Sequence, residues 1–227
     1  MSLSLRSLRV SRAAFLLVVL PAWCLALFAV RIARSGHVAY HYLAWNLVLA
    51  MVPAAAALML VRAERARASL AEQCGWAMLW LLFLPNAPYL VTDLMHLYPR
   101  PPVPVWYDVA MMLSFACTGL LLCYGSLADV HAVIERRFGR TAGWCVAMGA
   151  MLLSGLGIYM GRFLRLNSWD AVTRPHEMFG QLAEPDGGMP GLRVTIVYGL
   201  GLALGYAAVH LIVPAHMPGR SAGGQKG

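Results

Sequence analysis

Leu84-Pro85-Asn86-Ala87-Pro88-Tyr89-Leu90-Val91-Thr92-Asp93-Leu94-Met95-His96-Leu97 is the stretch on which the reading of this chain turns. It starts inside an apolar run too short to cross a bilayer and ends in an acid and a histidine. Pro85 and Pro88 remove two backbone donors, and the Pro88 ring clashes with a helical Leu84 carbonyl, so the helix is expected to break here. Asn86 is placed to cap a renewed helical segment, with Pro88 in its first turn. Asn86, Tyr89, Asp93 and His96 then recur at i, i+3, i+7 and i+10, which puts them on one face.

The surroundings of this stretch are those of a membrane protein. The 227 residues are 60% hydrophobic and 12% charged, about half the charge density of soluble domains. The net charge is +8. The basic residues lie between apolar segments and form no stripe with interleaved aromatics, which argues against nucleic acid as a partner and for anionic lipid head groups. Cys24, Cys74, Cys117, Cys123 and Cys145 contain no Cys-x-x-Cys pair and are expected as small buried hydrophobes. The N-terminal run of Ala13 to Val30, preceded by Arg6, Arg9 and Arg12, is longer than a signal-peptide core and is expected as an uncleaved first span.

Six segments are long enough to cross a hydrocarbon core, which takes roughly 20 residues. They lie at 13–31, 39–61, 74–97, 107–130, 143–162 and 192–213. The predicted fold is therefore all-α: a polytopic membrane helix bundle of six transmembrane helices in a single domain over 1–217. The third helix is expected to be broken at Pro85–Pro88, a short interfacial helix to lie between the fifth and sixth, and residues 218–227 to form a disordered cytoplasmic tail. Putting the N-terminus inside gives the cytoplasm Arg6, Arg9, Arg12, Arg62, Arg65, Arg67, Arg136, Arg137, Arg140, Arg220 and Lys226. The other side receives Arg31, Arg34, Arg100, Arg162, Arg165, Arg174 and Arg193. This bias favours both termini in the cytoplasm, and the expected location is a bacterial inner membrane.

Within the spans, Asn46 is costly in lipid unless it bonds to a neighbouring helix. His37 and His41 have the i, i+4 spacing that can serve a metal, although wet interfacial histidines explain them as well. Asp108 opens the fourth span, where a helix N-terminus favours a carboxylate. Ser114, Thr118, Gly125 and Asp129 form a stripe along that span, Ala150, Ser154, Gly157 and Gly161 along the fifth, and Tyr198, Gly201, Gly205 and Ala208 along the sixth. Such small-residue stripes are expected to be packing faces. Arg165 continues the fifth-span stripe and is expected to point into the bundle, and Asn167 or Ser168 to cap a short helix with Asp170 in its first turn. Residues 171–191, with His176, Glu177, Glu184 and Asp186, are expected as an interfacial helix and a flexible turn.

The Leu84–Leu94 run, Trp106-Tyr107-Asp108 and the Gly157–Asp170 run (Gly-Ile-Tyr-Met-Gly-Arg-Phe-Leu-Arg-Leu-Asn-Ser-Trp-Asp) together resemble the bacterial integral membrane family known as domain of unknown function 1361. Asn46-Leu47-Val48-Leu49-Ala50 fits as well, so the resemblance spans roughly residues 40–212. It implies no activity, but it does imply that the three polar blocks belong together.

Under the proposed topology Asn86, Tyr89, Asp93, His96, Asp108, Arg162, Arg165, Asn167 and Asp170 gather at the extracytoplasmic ends of spans three to five. Three readings compete. One is a structural ion-pair network of Arg162 and Arg165 with Asp93, Asp108 and Asp170. Another is a pocket that binds or moves an anion or lipid head group, with the arginines on phosphate. The third is a membrane-embedded enzyme on a lipid-linked or periplasmic substrate, with Asp93 as base and His96 as acid or metal ligand. No resident cofactor is predicted. A divalent metal shared by Asp93 and His96 with Asp108 or Asp170 belongs to the enzyme reading.

Overall fold

The computed structural model describes residues 12–176, 180 and 185–212. The expectations for Glu177, Glu184 and the tail from 218 lie outside the described residues. Among the described residues every regular element is helical, and six helices are long and apolar enough to cross a membrane. We label them α1 (Arg12–Ser35, opening with a π-helical turn at Phe15–Val19), α2 (His41–Arg65), α3 (Leu70–Phe83) with α4 (Asn86–Thr92), α5 (Val105–Phe138), α6 (Arg140–Arg162), the one-turn α7 (Asp170–Thr173) and α8 (Pro185–Ile212). The third span is α3 and α4 together, closing in a 3-10 turn at Asp93–His96.

α5 is the hub: it packs against α1, α2, α4 and α6, while α8 leans chiefly on α6. The buried face of α5 runs through Met111, Met112, Phe115, Leu122, Cys123 and Leu127. Its predicted small-residue stripe meets α1. The Trp23 indole donates to Ser114 at 3.4 Å, Cys24 Sγ lies 3.2 Å from Thr118 Oγ1, and Arg12 reaches the Gly125 carbonyl and the Asp129 carboxylate. Gly119 is required where α4 crosses α5, because a Cβ there would collide with the Ala87 carbonyl.

The third span is interrupted in its hydrogen bonding without leaving helical space. Leu84 and Pro85 have φ of −52° and −61°, both right-handed helical values. Asn86 does not cap α4 from outside: it is the first residue of that helix, and the N-cap is Pro85. The Asn86 amide instead donates to the Phe83 carbonyl at 3.0 Å, whose helical partner, the Ala87 N–H, turns to the Leu84 carbonyl at 3.2 Å, and to Ser168 Oγ at 2.7 Å. One side chain thus repairs the break and ties it to the segment after α6.

The α6 stripe faces that break. Gly157 lies against the Pro85 ring and Gly161 against Tyr89. On the sixth span the expected stripe packs in part: Gly205 lies against Tyr124 and Tyr198 against the core, but Gly201 has open space around it and Ala208 is exposed. The buried face is Gly199, Leu202, Ala203 and Tyr206, with Gly199 and Gly155 at the close approach of α6 and α8. Only Cys24 and Cys123 of the five cysteines are buried; Cys74, Cys117 and Cys145 lie on the bundle surface, and all five are free.

Candidate functional site

The buried carboxylate of Asp93 lies where the third span ends. Its Oδ1 accepts from Arg162 Nη2 at 2.8 Å and its Oδ2 from Asn46 Nδ2 at 2.9 Å, so α2, α4 and α6 meet on one side chain. Asn46 thereby acquires the interhelical partner that an amide in a span requires. Arg162 is held on every side. Its Nε and Nη2 donate to Thr92 Oγ1 at 3.1 and 2.6 Å, and its guanidinium lies 4.7 Å from the centre of the Tyr89 ring. Its Nη1 lies 3.3 Å from Nδ1 and 3.4 Å from Nε2 of His96. The Asp93 side chain is 2% exposed and that of Arg162 13%. The pair is therefore compensated in place, with both carboxylate oxygens occupied.

A second buried pair stands apart from this one. Asp108 does not meet Arg162 or Arg165. It accepts from Arg31 Nε at 2.7 Å and from Arg31 Nη2 at 3.3 Å, with side chains 0% and 1% exposed. The Arg31 guanidinium also stacks on Tyr40, 4.7 Å from the ring centre, and Arg100 covers the same ring at 4.6 Å. Arg31 is thus a buried partner inside the first span, where its sequence position suggests an interfacial charge. Tyr40 meets Tyr42 edge-on, and Tyr42 lies beside His96, so aromatic rings join the two pairs. His37 and His41 do not share one helical face: His37 precedes α2, and its backbone N–H bonds Ser35 Oγ.

Arg165 departs most from its expected position. α6 ends at Arg162, so the helical wheel no longer applies three residues later. Arg165 sits at φ 57°, in the left-handed region where a residue with a Cβ is uncommon, and Leu166 N–H reaches back to the Met160 carbonyl at 3.1 Å. The turn leaves Arg165 exposed, without an acidic partner among the described residues. Beyond it the capping runs opposite to expectation: Trp169 occupies the N-cap of α7, and the Asp170 carboxylate accepts from the Asn167 backbone N–H at 2.6 Å and its side-chain amide at 3.2 Å.

Between α3 and α6, roofed by the break, lies a cavity of about 520 Å³, within the usual range of small-molecule sites. Asn86, Tyr89, Arg165, Asn167 and Ser168 line one end, Leu81, Leu82, Leu153 and Leu156 the other, and Arg165 is the one charged residue among the described residues lining it. Asn46 and Tyr89 belong both to this lining and to the Asp93–Arg162 cluster. Of the predicted residues the cavity brings together Asn86, Tyr89, Arg165 and Asn167. Asp93, His96 and Arg162 form the adjoining cluster, Asp108 joins Arg31, and Asp170 orders the Asn167 turn. Among the described residues no three His, Cys, Asp or Glu side chains gather as metal ligands.

A second polar centre, at the opposite end of the bundle, has no counterpart in the sequence-based expectations. Buried His131 Nδ1 lies 2.8 Å from the Tyr206 hydroxyl, and the His131 ring stacks on His210 and meets Trp144 edge-on. Gly143 makes room for the His131 ring. The signal was present as histidines inside apolar spans, but nothing local relates residues 75 positions apart.

The six spans and the part-polar, part-apolar cavity define a multi-pass helical membrane protein with a lateral cleft. The model of a protein family of unknown function, DUF1361, matches residues 45–203, more than half of the chain, and the chain belongs to that family. No curated protein and no solved structure matches it.

Proposed function

We propose that the cleft beneath the α3–α4 break binds, or moves, an anion or the anionic head group of a lipid. The observation that carries this reading is the contrast between the two arginines of the Arg162–Arg165 turn. Arg162 is neutralised by Asp93, whereas Arg165 has no acidic partner among the described residues and brings its charge to a cavity whose other described lining residues are neutral. A guanidinium offers a planar fork of donors suited to phosphate or carboxylate oxygens. Asn86, Asn167 and Ser168 add neutral hydrogen-bonding groups around it. The arginine distribution supports the further reading that this end faces away from the cytoplasm of a bacterial inner membrane, with both termini inside.

The enzyme reading has less support. As a general base Asp93 would have to reach a substrate, and its side chain is 2% exposed, ion-paired with Arg162 and hydrogen-bonded to Asn46. The structural reading accounts well for the two buried ion pairs and leaves the cavity and Arg165 unexplained.

The test is thermal unfolding of the purified protein in neutral detergent, with and without phosphatidylglycerol or glycerol phosphate. A ligand at 100 times its Kd stabilises by about 2.7 kcal/mol, so the wild type is expected to melt several degrees higher. Arg165→Asn removes the charge while Asn tolerates the left-handed backbone, and it is expected to lose the shift. Equal shifts in both proteins, or none in the wild type, would sink the proposal.

A further inference from the structure

Resting on the anion-site reading, we infer that the ligand is a singly charged lipid that enters sideways from the bilayer, with its head at Arg165 and its hydrocarbon chain lying between α3 and α6. Three observations lead there. The first is the charge count: among the described lining residues there is one arginine and no acid, which matches one negative charge, as on a phosphodiester.

The second is the distribution of polarity. The polar lining comes from Asn86, Tyr89 and the Arg165–Ser168 turn, with Asn46 and the Trp45 indole added by α2. Away from it the walls are side chains with no hydrogen-bonding capacity, Met78, Leu81 and Leu82 on one helix and Leu153 and Leu156 on the other. A free inorganic anion has no use for such walls, whereas a hydrocarbon chain does. Met78 and Leu153 are themselves 73% and 51% exposed, so the apolar end opens onto the lipid-facing surface. The helices flanking it pack mainly elsewhere, α3 on α2 and α6 on α8 and α5.

The third is depth. α6 has 23 residues, about 34 Å at 1.5 Å each, close to the ~30 Å hydrocarbon core. Arg162 therefore marks one boundary, and Leu153 lies about 13 Å inside it. The cleft runs from a head-group plane to near the midplane, which is the length of one leaflet. At about 520 Å³ it accommodates a head group and part of one chain, leaving the remainder of the lipid in the bilayer.

The inference is tested by native mass spectrometry of the full-length protein released from neutral detergent after titration with phosphatidylglycerol, phosphatidylcholine of the same chains, or glycerol phosphate. Phosphatidylglycerol is expected to be retained at least tenfold more strongly than either of the others. Leu156→Trp and Met78→Trp fill the apolar end from opposite walls, away from the head-group residues. Each is expected to cut phosphatidylglycerol retention tenfold or more while the melting temperature and the weak glycerol phosphate binding stay unchanged. Unchanged lipid retention in both variants, or equal retention of the zwitterionic lipid, overturns the inference. Glycerol phosphate binding as tightly as the lipid overturns it too, but leaves the anion site standing. Wild type that binds neither anionic probe overturns both.

Discussion

Gly157 of α6 lies so close to Pro85 that a Cβ built on it would be 2.5 Å from the proline Cβ and Cγ. The seam between the broken third span and the fifth thus depends on one missing side chain. Because Pro85 cannot turn away without disturbing the break, the clash must be relieved by parting the helices.

Gly157→Ala is therefore expected to destabilise the protein by about 1–3 kcal/mol, the range of overpacking substitutions. Gly149→Ala, in the same helix with open space around it, is expected to be neutral or to stabilise by up to about 1 kcal/mol, as for glycine replaced in a helix interior. Melting curves of the two variants in one detergent make the comparison. Equal behaviour would show that the seam does not govern stability.

Asp93→Asn leaves Arg162 buried with its counter-charge gone. Breaking one side of a buried pair costs on the order of 3–5 kcal/mol, so the melting temperature and the yield of folded protein are expected to fall steeply. Adding Arg162→Gln to Asp93→Asn removes the stranded charge and is expected to recover most of the loss. A double variant no better than the single one would mean that Asp93 and Arg162 are not energetically coupled.

The left-handed backbone of Arg165 costs about 1–2 kcal/mol in a residue that carries a Cβ. Arg165→Gly is accordingly expected to raise stability while abolishing the lipid-dependent shift, a trade of order for binding. If the variant melts lower than wild type in the absence of added lipid, Arg165 has a structural partner and the functional reading of its exposure fails.

The Arg31–Asp108 pair gives a sharper contrast with exposed pairs. Arg31→Met alone is expected to be severely destabilising, whereas Arg31→Met with Asp108→Leu is expected to approach wild-type stability, as hydrophobic replacement of buried pairs does elsewhere. Glu64→Gln, which breaks an exposed contact with Arg136 at 3.3 Å, is expected to change stability by less than about 1 kcal/mol. Unfolding of the three variants in parallel separates the cases.

The features legible in the sequence were those dictated by short-range chemistry. Proline spacing announced the interruption at Leu84–Pro85, an amide at Asn46 demanded an interhelical bond, and the Gly157–Gly161 spacing marked a close approach. Extrapolation past an element failed: the wheel that carried Arg165 inward assumed a helix that stops at Arg162. Pairings across the chain were also hidden. Nothing near Asp108 points to Arg31, which lies 77 residues away, and nothing near His131 points to Tyr206. The sixth span carries glycines on two faces, and their spacing alone does not tell that Gly199 and Gly205 meet neighbours while Gly201 faces open space.

The recognisable family region opens at Trp45, yet Asp108 inside it is neutralised by Arg31 outside it. Ancestry and foldability thus have different borders. A fragment trimmed to the matched segment would carry an orphaned acid into the bilayer, and any excised version of this protein has to begin ahead of its first helix.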